Sequence, residues 1–140
     1  MGTGKVKTYA SNQVLIALGS HSVSGYADDS FVSIEPAGDG IMKKVGCDGE
    51  IARAVSPDKS YKVKITVLQT SETNAFLQSM HDRDRSNGDG LFSVLIKDLK
   101  GGVVFSADSA WVTKPASRTY GKGTNNREWE IDTGEATYSE

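Results

Sequence analysis

The stretch that decides the fold is Ser60-Tyr-Lys-Val-Lys-Ile-Thr-Val-Leu-Gln-Thr-Ser-Glu-Thr-Asn-Ala-Phe-Leu-Gln-Ser-Met80, in which the hydrophobic period changes half-way. In its first part, apolar residues alternate with Lys62 and Lys64, a pattern typical of a half-buried strand. In its second part, the apolar residues lie at helical spacing: Ala75, Phe76, Leu77 and Met80. We predict a strand followed by a helix at about residues 72–85, with Ser71 as its N-cap. So short a helix needs a sheet to pack on.

Most of the remaining chain has the sequence pattern of short strands separated by turns. Strands are predicted at residues 13–18, 22–26, 30–35, 91–97, 103–107, 109–113 and 127–132. The polar, acidic end of the chain at 133–140 is expected to fray. The pattern favours a mainly β fold, a β-sandwich or β-barrel with one flanking α-helix, formed by residues 1–140 as a single domain.

Residues 37–59 differ from the rest because they combine several glycines with many charges and few apolar anchors. A segment this long without a strong pattern usually has a function of its own or is disordered. We interpret it as a long loop or an extended hairpin arm that projects from the body.

The balance of charges limits the classes of partner. With 16 Lys and Arg against 18 Asp and Glu, the net charge is −2, so no basic field attracts nucleic acid. Cys47 is the only cysteine, which excludes an internal disulfide and a thiolate zinc site. No apolar run approaches the roughly 20 residues of a membrane span, and the first residues do not read as a signal peptide. We therefore expect a soluble protein with no membrane partner.

No catalytic, cofactor or metal site is predicted. The two histidines, His21 and His81, lack the partners of a catalytic triad, and we assign His81 to the C-terminal end of the helix. The acidic residues from Asp82 to Asp89 do not fit the register of a calcium loop. Trp129 is expected in the core. A monomeric β-sandwich binding module, with Trp111 or Trp129 as its ligand platform, stays open as an alternative.

Two rows of opposite charge lie on predicted strands. The first strand of the deciding stretch carries Lys62 and Lys64 on one face, and the last strand carries Glu128, Glu130 and Asp132 on one face. If both strands share a sheet, these rows can pair within a subunit or across a subunit boundary. Two solvated faces are the simpler alternative.

Four groups of motifs, in order and at compatible spacing, resemble the tail-tube family of contractile-tailed bacteriophages. They are Gln13-Val-Leu-Ile16 with Gly25-Tyr-Ala-Asp28 and Phe31-Val-Ser-Ile-Glu35; the segment 44–59; Leu68-Gln-Thr-Ser71; and Lys114-Pro115 with Tyr120-Gly-Lys122 and Arg127-Glu-Trp129. The resemblance covers nearly the whole chain.

The resemblance implies a structural virion protein that is not an enzyme. Its protomers would form hexameric rings that stack into the inner tube of the tail, and DNA would leave the capsid through the channel without specific binding. Implied partners are other copies of the chain, the tail sheath, the tape measure, the baseplate and the tail terminator. Assembly would take place in the host cytoplasm. The tube of a related contractile injection system shares this architecture and remains an alternative.

In this interpretation the arm at 37–59 reaches a neighbouring subunit or ring. The charged residues expected to set its register are Lys43, Lys44, Asp48, Glu50, Arg53, Asp58 and Lys59. The helix is expected to cover the outer side of the sheet, away from the lumen.

Overall fold

The computed structural model describes residues 6–28 and 30–140. After a short 3-10 turn at Ser11–Gln13, the elements are β1 Val14–Leu18, β2 His21–Ser22, β3 Val32–Pro36, β4 Ile41–Val45, β5 Ile51–Val55, β6 Tyr61–Leu68, α1 Thr73–Asn87, β7 Phe92–Asp98, β8 Val103–Lys114, β9 Asn126–Thr133 and β10 Ala136–Ser139. The predicted class, mainly β with one helix, is confirmed.

All strands except β4 and β5 belong to one antiparallel sheet in the order β2-β1-β7-β8-β9-β6-β3, with β10 paired to β8. The choice between the predicted β-sandwich and β-barrel is not confirmed, and the barrel is not closed, because no ladder in the described part of the chain joins the two end strands β2 and β3. β2 has only two residues, and within the described residues they pair with β1 alone. On the edge of β6 that pairs with β3, one isolated bridge also joins Tyr26 to Val67.

β8 is one strand of 12 residues where the sequence predicted two. It pairs with β7 along one edge, and with β9 and then β10 along the other. Its register with β7 shifts by one residue, since Val94 lies opposite Ala107 but Phe92 lies opposite Ala110. The polar pair Asp108-Ser109 at this bulge has the composition of a turn, but the strand continues through it.

The core forms on one face of the sheet, as the period-two pattern of β6 predicted. Val63, Ile65 and Val67 are completely buried, and so is Trp129 on the adjacent strand β9. Residues of the other strands that point to the same face complete the core: Ile16, Leu18, Phe92, Val94, Ile96, Phe105, Ala107, Ala110, Val112 and Ile131. The burial of Trp129 agrees with its predicted place in the core.

α1 begins two residues after the predicted cap and ends two residues later than expected. Ser71 still serves the helix start, because its Oγ accepts the N–H of Thr73 at 3.2 Å. The helix ends at Gly88, where φ is +71°, a left-handed conformation that glycine adopts without strain. Leu77 and Met80 are buried against the sheet. Ala75, which the spacing assigned to the packed face, is exposed.

The junction between β6 and α1 is fastened by the buried side chain of Asn74. Its Nδ2 donates to the carbonyl oxygens of Leu68, Gln69 and Ser71 at 3.0, 3.3 and 3.1 Å. Its Oδ1 accepts the indole N–H of Trp129 at 2.9 Å. Buried polar groups are costly when they have no hydrogen-bond partner. The Asn74 amide provides partners for three carbonyls of the turn and for the indole N–H of Trp129, and so it fixes the orientation of the helix and holds the largest core side chain.

The acidic tail that was expected to fray instead forms β10. Its backbone pairs with β8 from Ala136 opposite Ala107 to Ser139 opposite Val104. The ring of Tyr138 packs on Phe105 with the centroids 5.8 Å apart. Backbone pairing with the free edge of β8 therefore orders a segment that its polar side chains would leave loose.

We predict that Asn74→Ala lowers the free energy of unfolding by about 2–4 kcal/mol, because the Trp129 N–H and the carbonyls of the turn lose their buried partner. Urea unfolding followed by tryptophan fluorescence measures this change. The control is Ser79→Ala on the exposed side of α1, which should shift the value by less than about 0.5 kcal/mol. Equal stability of the two variants would contradict the role given to the amide.

Candidate assembly surfaces

β4 and β5 form a two-stranded hairpin, here called the arm, whose residues are all exposed. Within the described residues its strands pair only with each other. Its large apolar residues are between 49% and 73% exposed: Ile41, Met42, Val45, Ile51 and Val55. An isolated hairpin is at best marginally stable in water, and grouped exposed apolar residues mark interaction sites. The arm is thus a surface in need of a partner.

The register of the hairpin separates its two faces. On the first face, Ile41 lies opposite Val55, Lys43 opposite Arg53, and Val45 opposite Ile51. The second face carries Met42 opposite Ala54 and Lys44 opposite Ala52. Like charges directly opposite each other destabilise a hairpin. The first face therefore presents two apolar pairs with an unfavourable pair of cations between them.

The structure separates the charged arm residues into two groups. The Asp48 carboxylate accepts the N–H of Glu50 at 3.1 Å and so belongs to the arm's own turn. Asp58 Oδ1 accepts the hydroxyl and the N–H of Ser60 at 2.6 and 2.9 Å, and these hydrogen bonds lower the pKa of Asp58. Lys59 Nζ lies 3.8 Å from the Glu135 carboxylate. These residues have partners near the base or tip of the arm.

The second group consists of residues whose side chains form neither a hydrogen bond nor an ion pair within the described part of the chain: Lys43, Lys44, Glu50 and Arg53. Their charges are available to a partner.

The two predicted charge rows lie side by side, because β6 and β9 are neighbours. Lys64 is opposite Glu130 in register, and Lys62 reaches Glu130 diagonally, with Nζ 3.8 Å from Oε1. Lys114 on β8 approaches the other oxygen of Glu130 at 4.0 Å. Among the residues that the structure describes, neither Lys64 nor Glu128 has an ion pair.

The same face holds two further acidic residues, of which the sequence predicted Asp132 but not Glu35. Asp132 lies opposite Lys62 on β9, and Glu35 lies opposite Lys62 on β3. With Glu128 and Glu130, carboxylates outnumber the lysines of β6 on this face. Alternation along 30–35 could have assigned Glu35 to a polar face, but only the strand order places it beside β6.

A cleft of about 500 Å³, which the sequence did not reveal, is lined by residues in or beside β1, β3, β7, β8 and β10, most of them apolar. Its walls include Val32, Ile34, Val103, Phe105 and Tyr138. The one carboxylate in the lining is that of Asp98, whose Oδ1 accepts the N–H groups of Lys100 and Gly101 at 3.2 and 3.0 Å. Because the walls come from five distant segments, no local sequence signal announces the cleft.

Both histidines contact polar groups within the fold. His21 Nε2 is 2.9 Å from Thr73 Oγ1, and its ring stacks on Phe76 at 4.7 Å. His81 Nδ1 is 3.3 Å from the Val112 carbonyl oxygen. The assignment of His81 to the C-terminal end of the helix is wrong. His81 lies in the middle of α1, because the helix continues to Asn87.

The described residues contain no group of three His, Cys, Asp or Glu side chains that could hold a metal ion. In the same residues, no helix is long and apolar enough to cross a membrane. Complete burial of Trp129 removes it as a ligand platform, whereas Trp111 is half-buried.

Solved structures of similar fold include two tube terminators and a chain of a sheath-tube complex. The tube terminating cap of the anti-feeding prophage matches with a TM-score of 0.66 at 10% identity, covering 99% of this chain and 95% of that one. The sheath/tube terminator of an extracellular contractile injection system (PVC) also gives 0.66, at 9% identity, with 98% and 100% covered. A chain of the PVC sheath-tube complex gives 0.54 at 11% identity, with 94% and 91% covered.

Sequence comparison identifies the family. The model of the bacteriophage PhiTE tail tube protein matches residues 10–138, and the chain therefore belongs to this tail tube family. The structural protein ORF10 of Pseudomonas phage KPP10 is 32% identical over 143 residues, covering 96% of this chain and 83% of that protein. The predicted resemblance is confirmed, and the family is one of phage structural proteins, not of enzymes.

We predict that Glu130→Gln lowers the free energy of unfolding by less than about 1 kcal/mol, because its lysine partners are largely solvated. Urea unfolding at low protein concentration should show the difference from wild type at low salt and lose it in about 1 M salt. Glu128→Gln is the matched control and should change stability less. A loss of more than about 2 kcal/mol in Glu130→Gln would instead indicate a desolvated pair.

Proposed function

We propose that this protein forms hexameric rings that stack into the inner tube of a contractile phage tail, through which DNA leaves the capsid. Membership in the tail tube family over residues 10–138 supports the assignment. The structural observation that carries it is the unpartnered arm, because its exposed apolar residues require another chain. A contact between two different surfaces of identical subunits generates a ring when the rotation closes.

The charged face of β6 and β9 is proposed to line the channel or to meet a neighbouring subunit. Its residues Lys62, Lys64, Glu128 and Glu130 lie on one side of the sheet, opposite the core. A face with more carboxylates than lysines does not retain phosphates, whereas a basic lining would bind DNA and slow its passage. This charge balance favours a channel that conducts DNA without binding it.

Further partners follow from a place in the tail. We propose that the tube is surrounded by a sheath, encloses a tape measure protein during assembly, and meets a baseplate and a terminator at its ends. The protein would be assembled in the host cytoplasm and located in the virion tail. No cofactor is proposed.

A second candidate is a terminal ring that caps the tube. The higher TM-scores with two terminating proteins, 0.66 against 0.54 for a sheath-tube chain, favour this candidate on fold alone. The tube of a DNA-free contractile injection system is an architectural relative of both. Tubes and single rings are easily distinguished by their length.

Negative-stain microscopy of the purified protein tests the proposal. We expect hollow tubes of many stacked rings, with sixfold symmetry in end-on views. Single rings that do not stack at any concentration would favour the terminal cap. Monomers under all conditions, with ligand-dependent quenching of Trp111, would favour the binding module.

Deletion of residues 46–54 should leave a folded protein that does not polymerise. The core is expected to survive because every residue of the arm strands is exposed. Circular dichroism and thermal unfolding measure the fold, and sedimentation measures assembly. The control Cys47→Ser changes only the exposed tip and should polymerise normally. Tubes of normal length from the deletion variant would overturn the role of the arm.

A further inference from the structure

The first face of the arm has a chemical pattern that specifies its receptor. Apolar pairs at each end, Ile41 with Val55 and Val45 with Ile51, flank the facing cations Lys43 and Arg53. Each five-residue strand spans roughly 17 Å. A receptor for this face must be apolar over a comparable length and must supply negative charge near the middle.

The cleft lined by β3 and β8 offers both kinds of group that this face needs, apolar side chains and a carboxylate. Its volume of about 500 Å³ is in the range of sites that enclose several apolar groups. Val32, Ile34 and Val103 contribute half-buried side chains to its lining, and Asp98 supplies the single carboxylate. No ion pair satisfies Asp98 within the described residues.

We propose that the first face of the arm of one subunit docks in this cleft of a second copy, with Lys43 and Arg53 approaching Asp98. This inference rests on the proposed function, which requires contact between copies, and it names the surfaces that meet. Docking would remove the exposed apolar residues of the first face from water and give Lys43 and Arg53 a counter-charge. Because arm and cleft are different surfaces, the contact is head-to-tail, as a ring needs.

The second face of the arm provides an internal control. Lys44 is adjacent to Lys43 in sequence but points to the opposite side of the same strand. Lys43→Glu would place a carboxylate opposite Arg53, which favours the hairpin itself. A loss of assembly in this variant therefore cannot be explained by a weakened arm.

The test measures the critical concentration for assembly of the full chain by sedimentation. Lys43→Glu should raise it at least about tenfold, because the new carboxylate faces Asp98, whereas Lys44→Glu should change it less than about twofold. Asp98→Asn keeps the acceptor for Lys100 and Gly101. In the Asp98→Asn background, the effect of Lys43→Glu should fall below about threefold.

Ser30→Arg tests the cleft from its own side. Ser30 is exposed and lies in the lining, so a long cationic side chain there should obstruct and repel the arm without removing a core contact. We expect assembly to be lost while thermal unfolding is unchanged. Ser79→Arg, on the exposed side of α1, is the matched control and should assemble.

The outcomes separate this inference from the proposed function. A wild-type protein that stays monomeric would overturn both. If the wild type assembles and Lys43→Glu behaves like Lys44→Glu, the docking face is wrong while the tube remains. If Lys43→Glu impairs assembly equally in the Asp98→Asn background, or if Ser30→Arg assembles normally, the arm binds elsewhere and the cleft has another occupant.

Discussion

The buried amide of Asn74 is the contact on which the rest of the structure depends. It stands where β6 gives way to α1, the single α-helix of residues 6–28 and 30–140, and its four hydrogen bonds reach the turn before the helix and the core tryptophan. Inside a low-dielectric core, a group with this many partners is favourable only when all of them are present. The network therefore selects one orientation of α1 on the sheet. That orientation leaves the opposite face of β6 and β9 uncovered, so the charged face depends on the same contact.

The sequence predicted best those features that depend on local periodicity. Alternation along β6 correctly assigned Val63, Ile65 and Val67 to the core, and Trp129 followed from the same pattern. The predictions were wrong where backbone geometry and backbone hydrogen bonds, not the side-chain pattern, determined the strands. The Asp108-Ser109 bulge divided β8 into two predicted strands, and β10 was missed because its ladder uses main-chain groups of a polar segment. Barrel closure depends on how two distant sheet ends meet, a property without a local signal.

The surface features could be predicted from the sequence only in part. The lysine and glutamate rows could be assigned from alternation alone, although their adjacency required the strand order that places β6 beside β9. The arm was detectable by its composition, but its two faces emerge only from the hairpin register. The cleft could not be predicted, because residues as distant as Val32 and Tyr138 line it together. Local patterns identify strands and rows of charge, whereas concave surfaces result from tertiary packing.

The tip of the arm carries the chain's single thiol, Cys47, in an exposed position. A maleimide dye would therefore label one defined point of the molecule, without any engineered cysteine. The same position has a practical cost in the absence of reductant. Two exposed tips can oxidise to a disulfide and link two subunits by a bond unrelated to the order of a ring. Such covalent dimers would withdraw subunits from assembly, and a reducing buffer is the appropriate condition for purifying this protein.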